Sequence, residues 1–352
     1  MSYHPKILMV LDYAPDYREA FFRELGLKAK LTVVAQPCEA ESLTAPRVRK
    51  NYEYIEIPSK HIGGIYWQPG LRALASKIGW DVICMGINLR HLARVITFLS
   101  IPSVWGKWVW RGHIFGKTES QLVNYFRGII LRRAAGCLTY SEVQAKEVLL
   151  RFGVNAVSFN NSEVRVSEFR QGVHAAKRDG LNLLFVGRYQ TRKRLERLVN
   201  LASRRPDISL RFVGPNMDRI EVPQALEESG RVKKFGKTSG EALNKHFDWA
   251  DLVANPGHVG LLVMNAARHQ KGIVIDSESR HAPEYWLAKE AGQPFIDFSD
   301  CKSVDQFLNG VIADLTILKV WAVDLQNLAK SKYTIEYMVD THLKVFNNIY
   351  ES

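Results

Sequence analysis

The chain is poor in the residues and patterns that staple, anchor or metallate a fold. Its four cysteines, Cys38, Cys84, Cys137 and Cys301, stand far apart in 352 residues and form no CxxC pair. That excludes a disulfide framework and reads them as reduced, mostly buried small hydrophobes. The ten histidines lack metal-ligand spacing, so a zinc site is not expected. The longest apolar candidate, Val95 to Trp110, is broken by Pro102, Gly106 and Lys107, which argues against a membrane-spanning helix. The opening MSYHPKILMVLDY runs straight into a strand-like segment, with no basic n-region and no small-residue cleavage site; a cytoplasmic protein is expected. Acidic residues are in deficit, 36 against 48 Lys plus Arg, and the net charge of +12 calls for an acidic partner. Nucleic acid, an anionic membrane and phosphorylated small molecules all qualify, but no nucleic-acid-reading motif accompanies the charge.

What is present is an alternation of short apolar runs with helix-length amphipathic stretches, the pattern of an α/β protein. Expected strands in the first half are KILMVL (6–11), LTVVA (31–35), YIEI (54–57), DVICM (81–85), PSVW (102–105), CLTY (137–140) and AVSF (156–159). Ser141 caps an expected helix that ends at Gly153. The polar segment 160–180 interrupts the rhythm, which then restarts with LNLLFV, SLRFV, RVKKF, DLVAN, GIVI and PFI and closes in a helical tail. Two Rossmann-like halves follow, at residues 1–165 and 166–330, with a C-terminal helix at 331–352 expected to pack back on the first. Open α/β sheets bind ligands beyond the carboxyl ends of their strands, so the loops there are where chemistry belongs.

Two such loops carry the signal. In LLFVGRYQTRK (183–193) an apolar strand ends at Gly187, followed by Arg188 and, five residues later, Lys193 near a helix start. A permissive glycine, two cations and a helix N-terminus together suit a diphosphate. In NPGHVGLLVMNAAR (255–268) a Pro-Gly turn leads through Gly257, His258, Val259, Gly260 and Leu261 into a helix, aiming the backbone amides of residues 259–261 at an anion. GRVKKFGKTS (230–239) imitates a phosphate-binding P-loop, but a strand fills the residues where that loop must be free. Basic residues also interleave with aromatic ones in 89–112 and 125–136, segments suited to an anionic membrane interface.

The order VGR…K, then FGKTSGEALNKHFDWADLVANPG, then GL…A…G.VI, then HAPE, resembles the C-terminal domain of family 4 glycosyltransferases of the GT-B fold, over residues 181–292. The first half resembles that family less closely, through LDYAPDYREAFFREL and WGKWVWRGH. The resemblance implies two Rossmann-like domains facing across a cleft. It also implies a nucleotide diphosphate sugar as donor substrate, with no further cofactor; no DxD-like pair is positioned to hold a metal between strand and loop, so metal independence is expected. By it, Arg188 and Lys193 hold the diphosphate and stabilise the departing phosphate. Gly257 to Leu261 face the phosphate and sugar, Phe235, Gly236 and Lys237 border the base, and His113 faces the sugar from the other domain. Tyr17 and Arg18 lie on the acceptor side. The usual pair of glutamates is missing: its positions fall on Gly257 and Asn265, leaving Asn265 to bond a hydroxyl through its amide and Glu284 as a substitute carboxylate. The implied activity is retaining, metal-independent transfer of a hexose or deoxyhexose to a glycan acceptor, lipid-linked at the inner membrane face; the rival is a non-catalytic relative supporting a partner transferase.

Overall fold

The computed structural model describes residues 4–38, 43–115, 120–172 and 180–351. The chain divides into two compact units, residues 1–163 with 335–352, and residues 164–334.

In the first unit the strands are β1 (Lys6–Tyr13), β2 (Lys30–Gln36), β3 (Glu53–Glu56), a small hairpin of β4 (Lys60–Ile62) and β5 (Ile65–Trp67), β6 (Val82–Gly86), β7 (Trp108–Gly112), β8 (Gly136–Thr139) and β9 (Val157–Ser158). All but the hairpin form one parallel sheet in the order β3-β2-β1-β6-β7-β8-β9. Between them come α1 (Glu19–Lys28), α2 (Leu71–Ala75), α3 (Leu92–Ser100), α4 (Gln121–Arg133) and α5 (Glu142–Phe152). A parallel sheet is covered on both faces, so its central strands are largely apolar, whereas the edge strand β3 carries exposed glutamates. Ile7, Met9 and Leu11 of β1 turn to one layer and Leu8 and Val10 to the other, as the two-residue period of a strand requires. Ser141 does cap α5, accepting the amide of Gln144 at 3.3 Å, and Gly153 takes the left-handed conformation that ends it.

One expected strand is misplaced. Residues 102–107, which include PSVW, form a 3-10 turn that starts at Pro102, and the strand is the next segment, WVWRG. Proline fixes φ and lacks an amide, which suits the start of a turn better than a central strand. Segment 89–112 is consequently not a membrane face as a whole, because Trp108 and Trp110 are fully buried in the layer formed with Phe98 of α3.

The second unit contains β10 (Leu181–Val186), β11 (Ile208–Val213), β12 (Val232–Phe235), β13 (Leu252–Asn255), β14 (Gly272–Asp276) and β15 (Phe295–Ile296), in the order β12-β11-β10-β13-β14-β15. Its helices are α6 (Glu196–Arg204), α7 (Gln224–Glu228), α8 (Gly240–Trp249), α9 (Leu262–Arg268), α10 (Tyr285–Glu290), α11 (Cys301–Ala313) and α12 (Thr316–Lys332). Cys301 is exposed at the start of α11, whereas the other three cysteines are buried. Strand β12 occupies the middle of the P-loop look-alike.

The last helix, α13 (Ile335–Tyr350), belongs to the first unit. Ile335, Met338, Val339, His342 and Phe346 recur at helical spacing and are buried against α1 and the sheet. Burying each large apolar side chain of that stripe contributes roughly 1.5–3 kcal/mol. The polar member, His342, is placed with its hydrogen bonds complete: Nδ1 meets the carbonyl of Met338 at 2.6 Å and Nε2 accepts Nε–H of Arg111 at 2.9 Å.

Burial pushes His91 and His269 down to about 4 and holds His342 well below the ordinary imidazole range. The folded protein therefore binds fewer protons than the unfolded chain between pH 6.5 and about 4. Stability is expected to fall as pH falls through that window, seen as a lower urea midpoint at about pH 5 than at about pH 7. An unchanged midpoint would mean that these rings are not held neutral.

Candidate functional site

The order of the second sheet reverses between β10 and β13, and the loops after these two strands are the two expected to hold phosphate. They interlock. The His258 amide donates to the Arg192 carbonyl at 2.9 Å, and Lys193 Nζ donates to the His258 carbonyl at 2.6 Å. Gly257 lies so close that a Cβ there would stand 2.5 Å from Arg192 O and 2.7 Å from the carbonyl carbon and oxygen of Lys193. Any side chain at 257 would therefore force the loops apart. Gly214 serves the same close packing under Gly187, whose carbonyl oxygen would be 1.8 Å from an added Cβ.

Beneath the loops lies Asp276, fully buried at the end of β14, a residue that the sequence reading passed over. Its Oδ1 accepts from Arg197 Nη1 at 2.9 Å and from the Phe298 amide at 3.2 Å, and its Oδ2 accepts from Ser279 Oγ at 2.5 Å with Arg194 Nη1 3.8 Å away. Arg197 also reaches the Pro256 carbonyl at 3.3 Å. The backbone carbonyl of Asp276 holds His281 Nε2 at 2.8 Å, so that ring donates through Nε2 and accepts the Val259 amide through Nδ1 at 3.2 Å. The carboxylate thus joins the segments after β10, β14 and β15, and Arg197 and His281 extend the link to the loop after β13.

The remaining expected residues fall around this frame. Arg188 is exposed, while Lys193 is half-buried and its ammonium is pushed down to about 8, chiefly by burial, then by Arg192, with Glu284 acting in the opposite sense. Glu284 is buried at the N-cap position of α10 and within the field of Lys193. The sequence expectation for residues 259–261 needs correction in one particular. The Val259 amide is already bound by His281, and α9 begins at Leu262, leaving the amides of Gly260 and Leu261 with no acceptor among the described residues. Asn265, on α9, donates its amide to the Leu261 carbonyl at 3.4 Å. His258 Nδ1 meets the Arg280 carbonyl at 2.6 Å. Phe235 ends β12, packed 4.4 Å from the His246 ring, and Gly236 and Lys237 follow it in the open.

His113, Tyr17 and Arg18 belong to the first unit. His113 follows β7 and packs on the Tyr140 ring at 4.4 Å, with Gln144 Nε2 3.4 Å from its Nδ1. Desolvation, helped by Arg18 and Arg111, pushes its ring down to about 4, so it is neutral at ordinary pH. Arg18 donates to the Tyr140 hydroxyl at 3.1 Å, and Tyr17 is partly exposed beside it. Among the described residues no three His, Cys, Asp or Glu side chains gather as a metal site.

In backbone shape the chain is similar to several solved structures. A glycosyltransferase from Rickettsia africae superposes with a TM-score of 0.72 at 11% identity, over 98% of both chains. The fold is GT-B. Sucrose-phosphate synthase from Thermosynechococcus elongatus gives 0.67 at 12% identity, over 99% of this chain and all of that one. Anabaena HepE in complex with UDP gives 0.64 at 13%, over 97% of this chain and all of that one. No family model matches the sequence, and no curated protein matches it by sequence.

Removing a buried carboxylate leaves its cationic partners uncompensated, at a cost of roughly 3–5 kcal/mol. Asp276→Ala is therefore expected to destabilise the second unit by about that much, measured by urea unfolding. A loss under about 1 kcal/mol would show that the carboxylate does not carry the frame.

Proposed function

We propose that the chain is a glycosyltransferase that moves a hexose or deoxyhexose from a nucleotide diphosphate sugar to a glycan acceptor, lipid-linked and belonging to a cell-surface polysaccharide. The observation that carries this reading is the interlock of the Arg188–Lys193 loop with the Gly257–Leu261 loop at the switch point of the second sheet. Arg188 and Lys193 bring cationic donors to one side of a diphosphate, and the amides of Gly260 and Leu261 bring neutral ones to the other. Charge that builds on the departing phosphate as the glycosidic bond breaks meets fixed donors that need no reorganisation. The phosphate itself takes the acceptor proton, and transfer is retaining and metal-independent. Support comes also from similar structures solved with UDP and with UDP-glucose.

The rival reading, a non-catalytic partner subunit, is favoured by Gly257, which leaves no carboxylate at the sugar. Release of free nucleoside diphosphate from a donor by the pure protein decides between them. Screening UDP, GDP, ADP and dTDP by thermal shift should single out one base. Arg188→Ala or Lys193→Ala should then lower kcat/KM by roughly 10²- to 10³-fold without loss of folding. Because Lys193 loses its proton near 8, affinity for the nucleoside diphosphate should weaken as pH rises past that value. Near-normal turnover in both variants would refute the mechanism.

A peripheral place on the inner membrane face completes the proposal. Leu122, Tyr125 and Phe126, on one side of α4, are 64%, 63% and 53% exposed, with Arg132 and Arg133 exposed at its end. Apolar anchors beside cations fit an anionic headgroup layer. Among the described residues no helix is long and apolar enough to cross a membrane. Replacing Tyr125 and Phe126 by Ser should reduce sedimentation with phosphatidylglycerol vesicles by tenfold or so; undiminished binding would remove this surface from the account.

A further inference from the structure

The first unit places two guanidinium groups at the carboxyl edge of its sheet with no carboxylate in contact among the described residues; Asp12 acts on Arg18 through space, without a hydrogen bond. Arg111, on β7, is 2% exposed, and Arg18 stands half-buried at the start of α1. Both flank Tyr140, whose ring centre lies 5.9 Å from the Arg18 guanidinium carbon and 5.7 Å from that of Arg111. Their polar neighbours are neutral: phenols at Tyr17 and Tyr140, and the His342 imidazole that accepts Arg111 Nε–H. His342 holds its own proton toward the Met338 carbonyl and can offer Arg111 only a lone pair. Arg18 Nη1 and Arg111 Nη2 are buried with no acceptor among the described residues.

Nearby carboxylates are committed elsewhere. Asp12 is held by Arg94 at 2.6 Å and His91 at 3.3 Å, and Glu19 by Tyr52 and Arg49. Burying a charge without a counter-ion is costly, and two together repel. Such a pair is stable when an anion completes it, and the carboxyl edge of an open sheet is where a ligand can reach it.

We propose that Arg18 and Arg111 form an oxyanion site on the first unit, with Tyr140 and His113 at its margin, that takes a phosphate or carboxylate group of the acceptor. Identifying the ligand with the acceptor rests on the proposed transferase reading; the site itself does not. Arg18 meets the anion directly and Arg111 supplies the second charge from beneath. The cluster selects acceptors that carry an acidic group close to the attacking hydroxyl.

The test uses the full-length chain carrying Lys193→Ala, which weakens phosphate binding at the second unit, and follows the His113 ring resonance by NMR. Inorganic phosphate or acetate should produce a saturable shift. A response to phosphate with acetate silent assigns a phosphate group, and the reverse assigns a carboxylate. Adding Arg18→Gln should abolish the shift, and adding Arg111→Met, which replaces the buried charge by an apolar chain, should weaken the affinity fivefold or more. Silence toward both anions, or an undiminished shift with Arg18→Gln and with Arg111→Met, overturns the site. UDP binding by the unaltered protein is measured separately: if it fails while the His113 response persists, the transferase reading falls and the oxyanion site stands.

Discussion

A carboxylate sealed inside a protein has to be neutralised and hydrogen-bonded, and in the second unit that requirement fixes the geometry of everything above it. Asp276 accepts from Arg197, Ser279 and the Phe298 amide, with Arg194 close by. These partners come from different loops, so satisfying one buried charge sets their mutual positions. Arg197 passes the constraint to Pro256, and His281, bound to the Asp276 carbonyl, passes it to the Val259 amide. A frame of this kind fixes the backbone and side-chain donors of these loops in place without needing a ligand, which is the condition for electrostatic stabilisation without reorganisation.

The frame also explains a trade at Gly257. Close packing between the loops uses the space where a side chain would project, and in return it delivers the His258 carbonyl to Lys193 and the His258 amide to Arg192. Lys193 is correspondingly desolvated. Its lowered affinity for a proton follows chiefly from that burial and next from the neighbouring Arg192.

Much of the architecture was legible in the sequence because strand patterning and loop glycines act locally. The apolar runs of β1, β2, β10 and β13 and the Ser141 and Gly153 caps needed no knowledge of the rest of the chain. The approach of the loops after β10 and β13 follows from the same local signals, the glycines at 187 and 257. The strand WVWRG was not, because its tryptophans and Arg111 imitate an interfacial segment until α3 and α13 are seen to cover them. Asp276 looked like an ordinary acidic loop residue after GIVI. Its role depends on partners drawn from other loops, and no local pattern records that. The dependence of Arg111 on His342, 231 positions away, is of the same kind.

Charge compensation separates the arginines of this chain into two kinds, and the separation is sharper than exposure or sequence context. Arg194 and Arg197 lie at the edge of their sheet and share the single charge of Asp276, Arg197 at 2.9 Å and Arg194 at 3.8 Å, so Arg197 above all serves the scaffold. Arg94 is almost fully buried and is matched by Asp12. Arg18 and Arg111 occupy the equivalent edge of the first sheet in contact with phenols, an imidazole and aromatic rings, and the one carboxylate in the field of Arg18, Asp12, is already paired with Arg94. Aromatic faces and neutral acceptors soften the cost of a cation without cancelling its charge. Cations whose charge the fold itself cancels are structural, and those it leaves uncancelled at a strand's carboxyl end project a positive field that only an anion from outside can complete.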